Sequence, residues 1–271
     1  MAYDIASGGF SMPLGASLYG APPYEFRDAE QVSVCFTADA EGLAALLPPG
    51  LEVADDPAQC EIRVCNYRWS AFGPFRESYA LVRVRDRAGA LYWYLPLIFT
   101  DNEAPLAAGR ELWGYPKKLA TMTWNWGTPA AERPSDEMLH FAVERPRGTI
   151  LASVTFAPER QADPSERHGL PVVSHRYLPP SQQGRPPAAD ELIVVAYPKT
   201  LQRDASGMAK LWAGRGSVTI GIRSDIDPWY LLDPIAVTGG YWQVSDFALP
   251  AGAVLRDYRQ ESAQSSDEST A

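Results

Sequence analysis

Cysteine and histidine are both scarce in this chain, with three of each among 271 residues. Cys35, Cys60 and Cys65 are odd in number and fit neither a zinc-binding spacing nor a redox Cys-x-x-Cys motif. We expect them to behave as small apolar residues in a reducing compartment, which predicts a cytoplasmic protein. No histidine is clustered with carboxylates, so the sequence predicts no metal site.

Long apolar runs and an excess of positive charge are also lacking. No segment approaches the roughly 18 consecutive apolar residues of a membrane-spanning helix, and the N-terminus does not read as a secretory signal. The formal net charge of −9 disfavours nucleic acid, because phosphate binding needs a basic surface. A glycine-rich phosphate loop and a Gly-x-Ser-x-Gly elbow are absent as well. We therefore predict no cofactor, no membrane partner and no nucleic-acid partner.

Short alternating runs separated by Gly and Pro predict a β-rich α+β protein with few short helices. The predicted strands are Val32–Thr37, Glu61–Tyr67, Tyr79–Val84, Leu91–Thr100, Met138–Val143, Ile150–Phe156, Glu191–Tyr197 and Ser217–Ile222. Asp39 to Leu47 predicts a short helix with Asp39 as its N-cap. The Pro-rich segment 160–190 is predicted to cover a cavity mouth or a neighbouring subunit. Residues 1–258 are expected to form one domain, followed by a disordered tail at 259–271.

The segment Gly109–Ala120 sets two adjacent lysines in an apolar, aromatic-rich run. Desolvation opposes the charged form of a lysine in such surroundings and pushes its pKa toward neutrality. A neutral amine attacks ketones and aldehydes to give a Schiff base, so this segment predicts imine chemistry. If a strand starts at Pro116, Lys117 and Lys118 point to opposite faces, and only one of them enters a given cavity. The alternative is a surface Lys-Lys pair on a solvated edge.

Gly-Arg-Glu at 109–111 followed by Tyr-Pro-Lys-Lys-Leu at 115–119 resembles the signature of the acetoacetate decarboxylase superfamily. The resemblance runs from about residue 20 to residue 258. It includes the segments Pro23–Phe26, Leu43–Glu52, Asp101–Pro105, Trp212–Gly216 and Ala248–Pro250. It implies an acetoacetate decarboxylase-like fold, with large curved antiparallel sheets enclosing a central cavity. It also implies a homo-oligomer, a tetramer or larger.

The resemblance also implies roles for particular residues. Lys117 would form the imine, and Lys118 would help to lower its pKa, although the alternation favours desolvation as the main cause. Glu61 and Glu77 match family glutamates that line the cavity and hold or move protons. The alternative for each glutamate is an ordinary carboxylate on a solvated strand face.

One position departs from the family pattern. The early-strand arginine that holds the substrate carboxylate in the decarboxylase is matched by Ala29, which cannot form the two parallel hydrogen bonds of a guanidinium. On a regular strand Arg27 shares a face with Ala29 and could substitute as a substrate-binding residue. This departure argues against acetoacetate decarboxylation and leaves the prediction of imine formation unchanged.

Three aromatic residues complete the candidate site. Tyr241, near the C-terminus, could shuttle a proton or hold a hydroxyl group, as aldolases and dehydratases require. Trp113 and Tyr115 lie inside the signature and are candidates for the cavity wall. Each of the three could instead serve packing or a subunit interface, because aromatic side chains are large hydrophobes first.

The sequence is compatible with three functions. The favoured one is a Schiff-base lyase acting on a small oxo acid, as an aldolase or retro-aldolase on a 2-oxo acid such as pyruvate. The first alternative is a β-keto acid decarboxylase that uses Arg27 or another cation. The second alternative is a non-catalytic protein that binds an oxo acid.

Overall fold

Fifteen strands join one hydrogen-bonded sheet in the computed structural model, which describes residues 9–125, 138–167 and 169–261. In chain order they are β1 Tyr24–Ala38, β2 Leu51–Val53, β3 Ala58–Ser70, β4 Phe75–Asp86, β5 Leu91–Thr100, β6 Lys117–Leu119, β7 Thr121–Trp124, β8 Leu139–Glu144, β9 Ile150–Gln161, β10 Val172–Leu178, β11 Ala189–Val195, β12 Thr200–Leu201, β13 Leu211–Ile220, β14 Pro234–Leu249 and β15 Ala253–Asp257. Each predicted strand overlaps one of these strands, so the alternation of apolar and polar residues predicted their positions correctly.

The sheet is open and mixed rather than wholly antiparallel. Traced through the described residues, its main path runs β15-β11-β10-β5-β4-β3-β1-β14-β13-β9-β8-β7, and the two end strands of this path do not pair with each other. Strand β5 has parallel neighbours in β10 and β6, whereas most other pairs are antiparallel. Strand β10 lies inside the Pro-rich segment 160–190, for which the sequence predicted no strand. The β-rich fold with few helices is confirmed.

Helices are short and occupy the connections. Helix α1 spans Ala40–Ala44, and the Asp39 side chain accepts a hydrogen bond of 2.7 Å from the Gly42 amide. The predicted N-cap is thus confirmed, although the helix ends before the predicted Leu47. In the described part of the chain the other helical elements are α2 Glu103–Ala108, a π-helical turn at Gly109–Trp113, 3₁₀ turns at Pro164–Glu166 and Trp229–Leu232, and a helical turn at residues 258–261.

Both faces of the central strands are buried, which explains why β3 and β4 carry long buried stretches. On one face the larger hydrophobic cluster includes Val34, Ile62 and Val82. On the other face an aromatic cluster includes Phe26 and Tyr67. Residues of α2 and of the π-helical turn belong to the aromatic cluster, which therefore surrounds the candidate site next to β6.

The chain is helical at the predicted domain boundary at residue 258. Residues 258–261 form a helical turn, and Glu261 at its end accepts a hydrogen bond of 2.6 Å from Arg256 Nη2 of β15. The rest of the predicted tail lies outside the described residues. All three cysteines are free thiols. No helix among residues 9–125, 138–167 and 169–261 is long and apolar enough to cross a membrane.

Candidate active site

Lys117 is carried into the aromatic cluster by a sharp change of direction in the chain. The π-helical turn ends at Gly114, whose φ of +70° is in the left-handed region that favours glycine. A Cβ at Gly114 would also clash with the backbone of Arg176. The chain then enters β6, where Lys117 pairs with Ile98 of the parallel strand β5. Lys117 is only 7% exposed.

A second glycine makes room for the lysine side chain. A Cβ added to Gly109 would lie 2.7 Å from both Cδ and Cε of Lys117. Such a distance is shorter than van der Waals contact, so the side chain of Lys117 can cross the helical turn only because residue 109 is glycine. The Gly109 of the signature thus has a direct structural role in positioning the lysine.

Glu77 is the ionic partner of Lys117. It lies on β4 opposite Thr100 of β5, and its carboxylate forms a buried ion pair and hydrogen bond with the Lys117 Nζ. Burial raises the pKa of Glu77, although the charge of Lys117 and the nearby Tyr67 phenol act in the opposite direction. A carboxylate with a raised pKa is a better proton acceptor, so Glu77 is suited to exchange a proton with the amine.

The walls of the Lys117 cavity are apolar and mostly aromatic. Its described lining residues are Phe26, Tyr67, Phe72, Phe75, Glu77, Tyr79, Leu95, Ile98, Pro105, Trp113, Tyr115, Lys117, Tyr197, Phe247 and Leu249. The cavity volume is about 40 Å³. On the same measure one water needs about 10–15 Å³, so the space suits a compact ligand. The structure therefore places Trp113 and Tyr115 in the cavity wall, with their rings stacked at 5.6 Å.

Several phenols in this wall remain protonated. Burial raises the pKa of Tyr67, Tyr79 and Tyr115 well above the ordinary value, and it raises the pKa of Tyr197 to about 12. A protonated phenol donates a hydrogen bond, so these side chains can orient an oxygen of a ligand. Within the described ranges, no three His, Cys, Asp or Glu side chains converge as ligands of a metal ion would.

Lys118 points away from the cavity, as strand alternation predicted. Its Nζ donates to Asp227 at 2.7 Å and to the carbonyl oxygen of Ile226. Asp227 is 2% exposed and also accepts a hydrogen bond from Arg145 at 3.2 Å. Because Lys118 is tied to a buried carboxylate on the opposite face, its structural role is to anchor β6.

Glu61 does not lie beside Lys117, although the family resemblance implied that it would. Cys65, rather than Glu61, faces Glu77 across β3 and β4, and four residues along a strand separate two positions by about 13 Å. The carboxylate of Glu61 instead holds Arg63 Nε at 2.6 Å and Arg167 Nη1 at 2.9 Å. Burial opposes its ionisation, but the two guanidinium groups prevail and lower the pKa of Glu61 to about 2. The alternative of a solvated carboxylate is also wrong, because Glu61 is 5% exposed.

Arg27 cannot replace the missing arginine from its observed position. Its side chain is 52% exposed and pairs with Glu25 at 2.9 Å and with Asp246 at 3.7 Å. Ala29 is 3% exposed and belongs to the aromatic cluster. The prediction of a shared face fails because a register shift between Phe26 and Ala29 in the pairing with β14 accompanies a φ of +50° at Asp28.

Tyr241 likewise lies apart from Lys117. It pairs with Ser33 of β1 and with Ala213 of β13, and it is absent from the described lining of the Lys117 cavity. The Arg167 guanidinium lies 4.9 Å above its ring. Tyr241 and Glu61 therefore both contact Arg167, a residue that no sequence motif indicated.

Other cavity residues were also missed. Tyr67 and Tyr79 follow the alternation of their strands, but sequence alone does not show which face meets the lysine. Tyr197 belongs to the tripeptide Tyr197-Pro198-Lys199, which repeats the Tyr115-Pro116-Lys117 pattern. Both tyrosines of this repeat line the Lys117 cavity. The repeated tripeptide was therefore the one available signal for Tyr197.

The broad curved sheet supports an aromatic cavity that contains a buried lysine–glutamate pair. This combination of fold and site is typical of an enzyme. The chain belongs to the acetoacetate decarboxylase (ADC) family, whose model matches residues 11–259 and whose members are lyases. It is similar to acetoacetate decarboxylase 2 of Mesorhizobium japonicum, with 28% identity over 257 residues, which are 93% of this chain and 91% of that protein.

Solved structures share this fold. Acetoacetate decarboxylase from Legionella pneumophila has a TM-score of 0.79 at 24% identity, over 95% of this chain and 97% of that one. The enduracididine biosynthesis enzyme MppR, solved in complex with pyruvate, has a TM-score of 0.76 at 20% identity, over 92% of this chain and 98% of that one. At sequence identities of 24% and 20%, this structural similarity establishes only that the fold is shared.

Proposed function

We propose that this protein is a Schiff-base-forming lyase that acts on small oxo acids through Lys117. The observation that carries the proposal is the buried Lys117–Glu77 pair inside an aromatic cavity. These two residues bear the only formal charges in the described lining. A ketone that enters this space meets one amine and one carboxyl group, which are the two groups that imine formation requires.

The first step is nucleophilic attack. Glu77 accepts a proton from the Lys117 ammonium, and the neutral nitrogen adds to the ketone carbon. The resulting carbinolamine loses its hydroxyl group as water and becomes a protonated imine, with Glu77 returning the proton. The positively charged imine then accepts an electron pair from a bond to the neighbouring carbon.

Which bond breaks decides the reaction, and we favour aldol or retro-aldol chemistry on a 2-oxo acid. Ala29 supplies no guanidinium, Arg27 lies in solvent, and no arginine is among the described residues that line the cavity. A 2-oxo acid keeps its carboxylate through such a reaction, and Glu77 can take the α-proton. The likeness in fold to a structure that contains pyruvate supports this choice.

A β-keto acid decarboxylase is the second candidate. Its support is the similarity to acetoacetate decarboxylase 2 over most of the chain. The cavity also offers a reason, because a substrate carboxylate beside Glu77 in apolar surroundings is destabilised and loses its charge when carbon dioxide leaves. A non-catalytic oxo-acid-binding protein, the third candidate, would form no covalent adduct between Lys117 and the oxo acid.

Borohydride trapping with intact-mass and peptide-mass readout tests the proposal. Wild type and Lys117→Ala are incubated with pyruvate or acetoacetate and then reduced. We expect a reduced adduct on the peptide that contains Lys117 in wild type and none in Lys117→Ala, which should remain folded by circular dichroism. A pyruvate adduct without release of carbon dioxide from acetoacetate supports aldol chemistry, whereas an acetone adduct supports decarboxylation. An adduct of equal yield in Lys117→Ala would contradict the assignment.

A further inference from the structure

A second and larger cavity lies beside the Lys117 cavity. We call it the Lys199 cavity, and its volume is about 510 Å³. The polar residues in its described lining are Gln31, Arg63, Arg167, Tyr197, Lys199 and Gln243. These side chains come from distant parts of the chain, and none of the cations among them takes part in the chemistry proposed for Lys117.

The charges around this cavity are unbalanced. Arg63 and Arg167 share one carboxylate, that of Glu61, which also fixes their positions. Arg167 Nη2 is further held by Ser33 Oγ at 3.1 Å. Within the described part of the chain, Arg63 donates only through Nε, so its two terminal nitrogens have no acceptor. With Lys199 protonated, three cations face one anion.

Lys199 is a half-buried amine in this positive environment. Its Nζ donates to Gln31 Oε1 at 2.5 Å, and an amide oxygen does not neutralise an ammonium. Desolvation, followed by repulsion from Arg63 and Arg167, lowers the pKa of Lys199 to about 7, while Cys65 and Glu61 oppose the shift. A bound anion would restore the missing negative charge and hold the proton on Lys199.

Only an aromatic wall separates the two cavities. Tyr197 lines both of them, and Phe247 lines the Lys117 cavity. The Nζ of Lys199 lies 5.8 Å from the centroid of the Tyr197 ring and 5.5 Å from that of Phe247. A cation is thus placed directly behind the wall of a site that has no arginine in its described lining.

We propose that the Lys199 cavity is a binding site for the carboxylate of a small organic acid, with Lys199 and the terminal nitrogens of Arg63 as its donors. Two features support a carboxylate: the surplus of positive charge and the unused donors. The binding site stands on its own contacts and does not depend on the imine chemistry proposed for Lys117.

Calorimetric titration with succinate tests this site, because succinate has no ketone and cannot form an imine. At pH 6 we expect saturable binding to wild type, to Lys117→Ala and to the exposed-cation control Arg185→Met, with dissociation constants within about two-fold. Lys199→Met should bind at least about ten-fold more weakly, since a charge-assisted hydrogen bond is lost. Circular dichroism confirms that each variant is folded.

The pH dependence gives a second and sharper readout. Only the protonated amine attracts an anion, so the affinity of wild type should fall about ten-fold between pH 6 and pH 8.5, with proton uptake on binding near pH 8. Lys199→Arg keeps a cation that does not titrate, and it should bind succinate equally well at both pH values.

Several outcomes would overturn the proposal. These are no saturable binding to wild type, equal affinity of Lys199→Met, and equal binding of the uncharged succinamide. Equal affinity for inorganic phosphate would overturn the carboxylate assignment. The outcome is separable from that of borohydride trapping, because succinate binding requires the Lys199 cavity and not the amine of Lys117.

Discussion

Glu61 and Glu77 are buried carboxylates on adjacent strands, yet each faces a different partner. Both match the family pattern in sequence, but the register of β3 against β4 sets Cys65, not Glu61, opposite Glu77. Glu77 consequently meets Lys117, whereas Glu61 meets two arginines. Residue types could be predicted from the sequence here, but their pairing could not, because register depends on contacts between distant parts of the chain.

Replacing Glu77 tests its part in proton exchange. Glu77→Gln keeps the size of the side chain and its ability to accept a hydrogen bond, but the amide cannot accept a proton. We expect the initial rate of imine trapping to fall by about 10² to 10⁴-fold, the usual contribution of a positioned acid–base group. Rapid-quench borohydride trapping measures this rate, and Glu52→Gln on the exposed face of β2 is the matched control. An unchanged rate from pH 6 to pH 9 would exclude Glu77 as the proton acceptor.

Glu61 should matter for acid stability. Because its folded-state pKa is about 2 and lies below its unfolded value near 4.3, its stabilising contribution is present above about pH 4.5. That contribution is lost as the pH falls through 2. Glu61→Gln leaves two arginines without their carboxylate, so we expect a loss of about 3–5 kcal/mol at pH 7. Urea unfolding measures the free energy of unfolding of both proteins, and the difference between wild type and Glu61→Gln should become smaller from pH 5 to pH 2.5. A difference that does not change with pH would contradict the low pKa of Glu61.

At the scale of elements, alternation was sufficient to predict the strands but not their irregularities. Runs such as Leu91–Thr100 appear as strands because side chains alternate between two faces of the sheet. The register shift lies between Phe26 and Ala29, where no glycine or proline indicates it in the sequence. This shift reverses the predicted orientation of Arg27. The sixteen-residue β14 escaped prediction because the pair Gly239-Gly240 interrupts its pattern. Local sequence patterns thus predict the strands, whereas the position of a β-bulge can be identified only when the partner strand is known.

The π-helical turn offers a test at this scale. Gly109→Ala would place a methyl group 2.7 Å from Cδ and Cε of Lys117, and the flexible lysine is the group that must move. We expect the fold to persist and the yield of trapped imine to drop by at least about ten-fold, since a shift of about 1 Å can cost 10²-fold in rate. Gly20→Ala is the control, because nothing lies within 4 Å of its added Cβ. Full trapping by Gly109→Ala would show that the lysine tolerates displacement.

Across the whole molecule, each of two adjoining cavities contains a lysine that follows a Tyr-Pro pair. Tyr115-Pro116 precedes Lys117 and Tyr197-Pro198 precedes Lys199, in a chain with only four lysines. The repeat alone predicts no role for Lys199, because a three-residue pattern does not report spatial neighbours. The sheet brings the two segments to opposite sides of one aromatic wall. The resemblance identified the first lysine, and only the three-dimensional packing identified the second.

The half-buried amine of Lys199 should also affect the stability of the whole fold. Its pKa is about 7 when folded and near 10.4 when unfolded, so between these values the unfolded chain binds the extra proton. Stability therefore rises with pH across this window, and the unfavourable contribution is fully present below pH 7. We expect the free energy of unfolding of wild type, relative to Lys199→Met, to increase from pH 7 to pH 9.5. The slope is at most about 1.4 kcal/mol per pH unit, because one proton is involved. Urea unfolding in carboxylate-free buffers measures it, and parallel pH profiles of the two proteins would show that Lys199 titrates normally.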